Sequence, residues 1–255
     1  MLIALTIILI LLILFFSSNR GAKALVTTAL NLMVLLITIF LINLGVNPFL
    51  VTVAAAVIVA AVTLFYQNEF NEKTRIAFIS TAIVFLMLVP ILLFMGGMMN
   101  IQGMTVEQYE IAEVNGYEKN IAVSMLLIQI SVILMALVGA VIDFALSISS
   151  TIYEVQLKNP TLSKRELTLS GLNVSRDILG TTVHTLFYIY MAEFMALLIQ
   201  FAENYTFLEM INSKAFSQEM ARIGFSAIGC AAVIPITVLT PTRSEERRVG
   251  KECRS

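Results

Sequence analysis

The chain has no tryptophan, one histidine, two cysteines and five prolines, and only 13% of its 255 residues are charged. With His184 alone, no histidine-based metal site can be built. Cys230, in an apolar stretch, and Cys253, in a polar one, form neither a disulfide framework nor a metal-ligand cluster. No metal and no cofactor is therefore expected. A net charge of -1, with no basic cluster interleaved with aromatics, leaves no electrostatic footprint for nucleic acid. The absence of a Walker motif argues against nucleotide hydrolysis by the chain itself. An intramembrane protease is the enzymatic rival. The aspartyl type needs two facing aspartates, one in a GxGD context, and the serine type a GxSG; neither occurs, so the expectation is a protein that is not an enzyme.

What is present is apolar: 58% of the residues are hydrophobic and the mean hydropathy is +0.90, far outside the soluble globular range. The expected fold is all-α, a polytopic transmembrane helix bundle forming one integral membrane domain over residues 1–241. Seven stretches are candidate spans: 2–16, 24–44, 49–65, 76–98, 121–150, 178–199 and 223–240. The first has no basic n-region and no small-residue cleavage site, and its charges, Arg20 and Lys23, follow it; it reads as a retained anchor with the N-terminus outside. Arg20, Lys23, Lys73, Arg75, Lys158, Lys164, Arg165 and Arg176 fall on one side, against Lys119, Lys214 and Arg222 on the other, which orients the first group to the cytoplasm. The segment 100–119, with Glu107, Glu110, Glu113 and Glu118, then becomes a solvated outer loop. On the inner side Asn159-Pro160 breaks a helix, and Ser163 to Glu166 has capping-box spacing with Leu162 and Leu167 at the staple positions, so a helix starts at Lys164. The tail TRSEERRVGKECRS (242–255) has no apolar periodicity. It reads as non-native read-through that cannot extend the last span.

Asp143 carries the chemistry. It lies in GAVIDFALSISSTIYE (139–154), deep in an apolar run, where an aspartate costs roughly 2.5–3.5 kcal/mol on insertion scales. Gly139, Asp143, Ser147, Ser150 and Glu154 follow helical spacing and make one small or polar stripe, which should face other helices and not lipid. Asp143 and His184 each lie about seven residues from the inner end of a span and so at similar depth, roughly 10 Å in. Their contact would make a proton relay, or with Ser147, Ser150 and Thr181 a cation site. The bland alternative is an interhelical hydrogen bond, with Gly139 and Gly180 allowing close approach. Arg176 and Asp177 at the mouth of the sixth span suit a snorkelling cation and a first-turn acid. Glu193 can reach the outer interface, and Asn31 suits an interhelical hydrogen bond. Pro90, Gly96-Gly97 and Pro235 are places where a helix can break or gate.

On GAVIDFALSISSTIYE, Asn159-Pro160, LSKREL (162–167), SGLNVSRDILGTT (170–182) and Thr185, the chain resembles the YibE/YibF-like family of bacterial multi-pass membrane proteins, and within it the shorter, YibF-type members. Weaker matches are Arg20-Gly21-Ala22, Asn47-Pro48, NEFNEKT (68–74), Asn212, Glu219 and Pro235. His184 stands where the family pattern has asparagine, and Ser175 where it has glycine. The resemblance implies a protein of the bacterial cytoplasmic membrane with a role in transport, surrounded by lipid. It also implies association with a longer YibE-type paralogue or with further copies of itself. The function expected is a permease-like or channel-like subunit for an unknown small solute or ion, with the polar site around Asp143. The alternative is a non-transporting scaffold or assembly subunit pairing with the longer partner.

Overall fold

The computed structural model describes residues 1–98, 101, 124–159 and 161–252. Among them every regular element is helical, as backbone that must satisfy its own hydrogen bonds in hydrocarbon requires. The order is α1 (Leu2–Asn43), α2 (Pro48–Ala61) continued by a π-helical turn (Val62–Gln67), α3 (Glu72–Met98), α4 (Met125–Lys158), α5 (Lys164–Asn204), the short α6 (Phe207–Ile211) and α7 (Lys214–Glu252). Six segments are long and apolar enough to cross a membrane: Asn19–Asn43, Pro48–Gln67, Glu72–Met98, Met125–Lys158, Lys164–Asn204 and Lys214–Thr240. The fold class is therefore as expected, with one fewer full-length span. The first stretch forms the shorter apolar helix Ile3–Ser17, about 22 Å long against a hydrocarbon core of about 30 Å.

Three boundaries differ from expectation. No loop separates the first two apolar stretches; helix α1 runs through Arg20, but it bends sharply. A Cβ on Gly21 would lie 2.6 Å from the Ile13 carbonyl oxygen and 2.8 Å from the Ser17 Cβ, whereas a straight helix would hold residues 13 and 21 about 12 Å apart. Only glycine fits that bend. Helix α5 starts at Lys164 as its capping box dictates but continues without a break to Asn204. Arg176 and Asp177 therefore lie within its length, not in the first turn of a new span, and the first-turn dipole argument for Asp177 does not hold. Helix α7 keeps helical backbone as far as Glu252, so the tail continues the last helix although its apolar part stops at Thr240. Pro160 and the acidic segment with Glu107, Glu110, Glu113 and Glu118 lie outside the described residues.

Helices α4 and α7 form the centre. Helix α7 packs on α3, α4 and α5, while α4 also takes α2 and α3 against its sides. Ile130, Leu134, Leu137, Val141, Ile148 and Ile152 of α4 are nearly all buried, at the a/d-like spacing that makes one apolar face. Glycine sets the closest approaches. A Cβ on Gly229 would meet the Leu137 side chain and, at 2.8 Å, the Val141 Cγ2; one on Gly171 would meet Ile152 Cδ1 at 3.0 Å and Val238 Cγ1 at 3.3 Å.

At one end, the NEFNEKT segment folds into a tight polar turn before α3. Thr74 donates its backbone N–H to Asn71 Oδ1 and its hydroxyl to the Glu69 carbonyl, while Asn68 Nδ2 donates to the Thr63 carbonyl of the π turn. Glu69 adopts φ 63°, unusual for a residue with a side chain. Lys23 of α1 donates to its carboxylate at 2.6 Å, which holds the carboxyl below its ordinary range. This contact brings the Arg20–Lys23 bend and the Lys73–Arg75 turn to the same end of the molecule. Asn31 Nδ2 donates to Thr63 Oγ1 at 3.0 Å, the interhelical bond expected of it.

Candidate functional site

On α4, Asp143 falls in a stripe whose neighbours in the helical repeat are Gly139, Ser147, Ser150 and Glu154. Gly139, Asp143, Ser147 and Glu154 are exposed and Ser150 is partly so, whereas the opposite side of the helix is the buried apolar face. At 100° per residue the two faces are centred about 180° apart, so Asp143 lies on the face of α4 opposite its apolar core face. The sequence expectation that this stripe meets other helices is not met within the single chain.

A similar stripe runs along α5. Leu167, Gly171 and Ser175 face inward; Gly180 and His184 lie exposed on the other side, Thr181 and Thr185 are exposed further round the helix, and Arg176 and Asp177 are exposed one turn before them. The contact of Gly171 with Ile152 and Val238 sets the register of α5 against α4 and α7. Because α4 and α5 run antiparallel, nine residues further along each from this contact puts Gly180 level with Asp143. Five residues pairs Arg176 with Ser147, and thirteen pairs His184 with Gly139.

Asp143 and His184 are thus about one turn apart in depth, yet they are not joined. Among the described residues no hydrogen bond or ion pair links them, and neither has a side-chain partner. The buried Cys230 thiol of α7 lies within electrostatic reach of the Asp143 carboxylate. Gly139 and Gly180 do not mediate close approach either, since a Cβ at each would have nothing within 4 Å. Pro235 lies inside α7, which continues through it, and Asn159 ends α4, its N–H donating to the Val155 carbonyl at 3.0 Å.

The hydroxyls on both stripes turn their protons inward. Ser147 donates to the Asp143 carbonyl at 2.8 Å, Thr151 to that of Ser147 at 2.8 Å, Thr181 to that of Ile178 at 2.9 Å and Thr185 to that of Thr181 at 2.8 Å. A hydroxyl whose proton is bound to its own helix presents oxygen lone pairs outward. With the carboxylate, the α4 stripe is therefore a row of acceptors, suited to a cation, to water or to an incoming donor.

Sequence reasoning missed a second polar group between α5 and α7. Arg222 pairs with Glu219 at 3.3 Å and with Glu193 at 3.6 Å, and its guanidinium carbon stands 5.4 Å from the Tyr190 ring centroid. Glu193 therefore meets an arginine and does not simply reach the interface. The i,i+3 spacing of Glu219 and Arg222 was the available signal; Tyr190 had none.

A family model described as YibE/F-like protein matches residues 5–244. Neither the comparison with curated proteins nor that with solved structures found a match. The match covers nearly the whole chain, including both polar stripes and the capped turn between them, and the six long apolar helices are those of a multi-pass membrane protein. The chain belongs to the YibE/F-like protein family.

Proposed function

We propose that this chain is a permease-like or channel-like subunit of the bacterial cytoplasmic membrane, non-enzymatic, in which Asp143 is the working group for a cation or proton. The supporting observation is the position of that carboxylate: exposed on the outer face of a central helix, without a partner among the described residues, and in line with the outward-facing oxygen of Ser147. A carboxylate facing hydrocarbon is untenable, so in the membrane it faces water or protein. A wet path along α4 supplies the first and gives the charge a use.

The test is ion flux. Purified protein in liposomes containing a pH-sensitive or cation-sensitive dye should dissipate an imposed gradient faster than empty liposomes. Asp143→Asn, which keeps shape and hydrogen bonding but cannot ionise, should abolish the excess. Flux by the asparagine variant equal to the parent's would rule out the ion site. A second reading, a non-transporting scaffold that pairs with a longer YibE-type partner, is favoured by the same lack of cover over both stripes. On that reading Asp143→Asn is silent and Asp143→Leu releases the partner.

A further inference from the structure

A polar group that the proposed function leaves unused lies between α5 and α7. Arg222 is at its centre: Nη2 meets Glu219 Oε1 at 3.3 Å and Nη1 meets Glu193 Oε2 at 3.6 Å, while the Tyr190 ring, 5.4 Å from the guanidinium carbon, covers one face. Ser226, fully buried, stands beside the Tyr190 hydroxyl. Apolar residues close the group in both directions along α7. Ala215 and Phe216 belong to a small cluster with Phe194 and Phe201, and Ala221 and Phe225 belong to the main core.

The charges of this group do not balance. A guanidinium stays protonated in a protein, so two ionised carboxylates on one arginine leave one negative charge over. Among the described residues the charges acting on Glu219 are those of Arg222 and Glu193. Neither α3 over residues 84–98 nor α4 over residues 124–135 carries a charged side chain that could supply the missing cation. The surplus falls where water does not reach: the Glu219 side chain is 15% exposed, and its Oε2 is buried without a hydrogen-bond partner among the described residues. The Glu193 side chain, 62% exposed, can keep its charge. A buried oxygen anion without a donor is costly, whereas a carboxylic acid needs no counter-charge.

We infer that this group is a proton-binding site, in which Glu219 holds one proton on Oε2 at neutral pH while Oε1 stays against Arg222 and Glu193 supplies the single counter-charge. The proton arrives past the exposed Glu193 side; the Oε2–H bond forms as hydronium becomes water, and no contact in the group has to break. The site is separate from Asp143. Cys230, the α7 residue within electrostatic reach of that carboxylate, lies eleven residues, about 16 Å, further along the helix. Loss of the transport reading would therefore leave this site untouched.

Infrared spectroscopy of the full chain in nanodiscs tests it, because a protonated carboxyl has a C=O stretch that a carboxylate lacks. At neutral pH, where an ordinary glutamate is ionised, the parent should show this band and Glu219→Gln should lose one carboxyl's share of it. The loss should be the same in a chain already carrying Asp143→Asn. Glu193→Gln should lose an equal share, because the remaining carboxyl then ionises to balance Arg222. In a chain carrying Arg222→Gln, adding Glu219→Gln should still remove the band and adding Glu193→Gln should not, which puts the proton on Glu219. Identical spectra of the parent and Glu219→Gln would overturn the inference, as would the reverse result in the Arg222→Gln chain.

A second measurement covers the folded state. Glu219→Gln exchanges a neutral acid for its neutral amide, so its melting temperature at neutral pH should match the parent's; a clear fall would show that an ionised Glu219 had been lost and would overturn the inference. A parent without the band, whose melting temperature rises with sodium or potassium at constant ionic strength, would put a metal cation at the surplus charge and overturn it as well.

Discussion

At the residue scale the glycines separate packing from open surface. Gly171 and Gly229 stand where two helices touch, and any Cβ there meets Ile152, Val238, Leu137 or Val141. Gly139 and Gly180 face outward with nothing within 4 Å. Gly171→Leu and Gly229→Leu should each destabilise the fold by about 1–3 kcal/mol or more through overpacking, read as a fall in melting temperature in detergent. Gly180→Leu and Gly139→Leu should each leave that temperature unchanged, because a side chain at either position meets no neighbour. Comparable losses at all four positions would show that the outward stripes pack within the chain. Sequence spacing put all the glycines in helices without indicating which of them a neighbour approaches. Asp143 shows the same limit. Helical spacing put it in a polar stripe, but its direction depends on where the apolar face of α4 finds α3 and α7.

At the element scale, α5 is the clearest case of a local signal read correctly at one end and lost at the other. The reciprocal bonds of Ser163 and Glu166, 2.9 Å from the Ser163 N–H to the carboxylate and 3.3 Å from the Glu166 N–H to the hydroxyl, start the helix at Lys164 as spacing predicted. Ser163→Ala should cost about 1 kcal/mol and raise protease cleavage near residue 164 without altering the rest of the fold; an unchanged digestion pattern would show that tertiary contacts alone hold this end. The start of the sixth span at residue 178, by contrast, was inferred from hydropathy, which falls at Arg176-Asp177. The helix ignores that fall because Leu167, Gly171 and Ser175 are buried against α4 and α7. Backbone hydrogen bonds continue wherever one face stays packed, whatever the exposed face carries. The same reasoning applies to α1, where Arg20 and Lys23 suggested a loop and the chain instead bends within a helix at Gly21.

At the scale of the whole molecule, the Lys23–Glu69 contact gathers the Arg20, Lys23, Lys73 and Arg75 region at one end. The short turn carrying Ser163 lies at that same end if the spans alternate. The positive-inside rule predicts that this end faces the cytoplasm. Cysteines at Lys73 and at Ser163 should be labelled from the cytoplasmic side and one at Ser213 from the outside; Lys73 and Ser213 labelled from the same side would contradict the alternation of six spans. Composition and periodicity by themselves determined that the chain is an all-helical membrane protein, where most of its helices run, how α5 begins and which residues form the polar stripe. Those properties depend on transfer free energy and on hydrogen bonds within one or two turns, both of which are written locally. The tertiary structure alone decided the bend at Gly21, the continuity of α5, the Arg222 group between α5 and α7, and the outward direction of Asp143. Each depends on contacts between residues far apart in the chain, and the last follows because the strongest apolar face of α4 takes the centre of the bundle and leaves the charge on the opposite side.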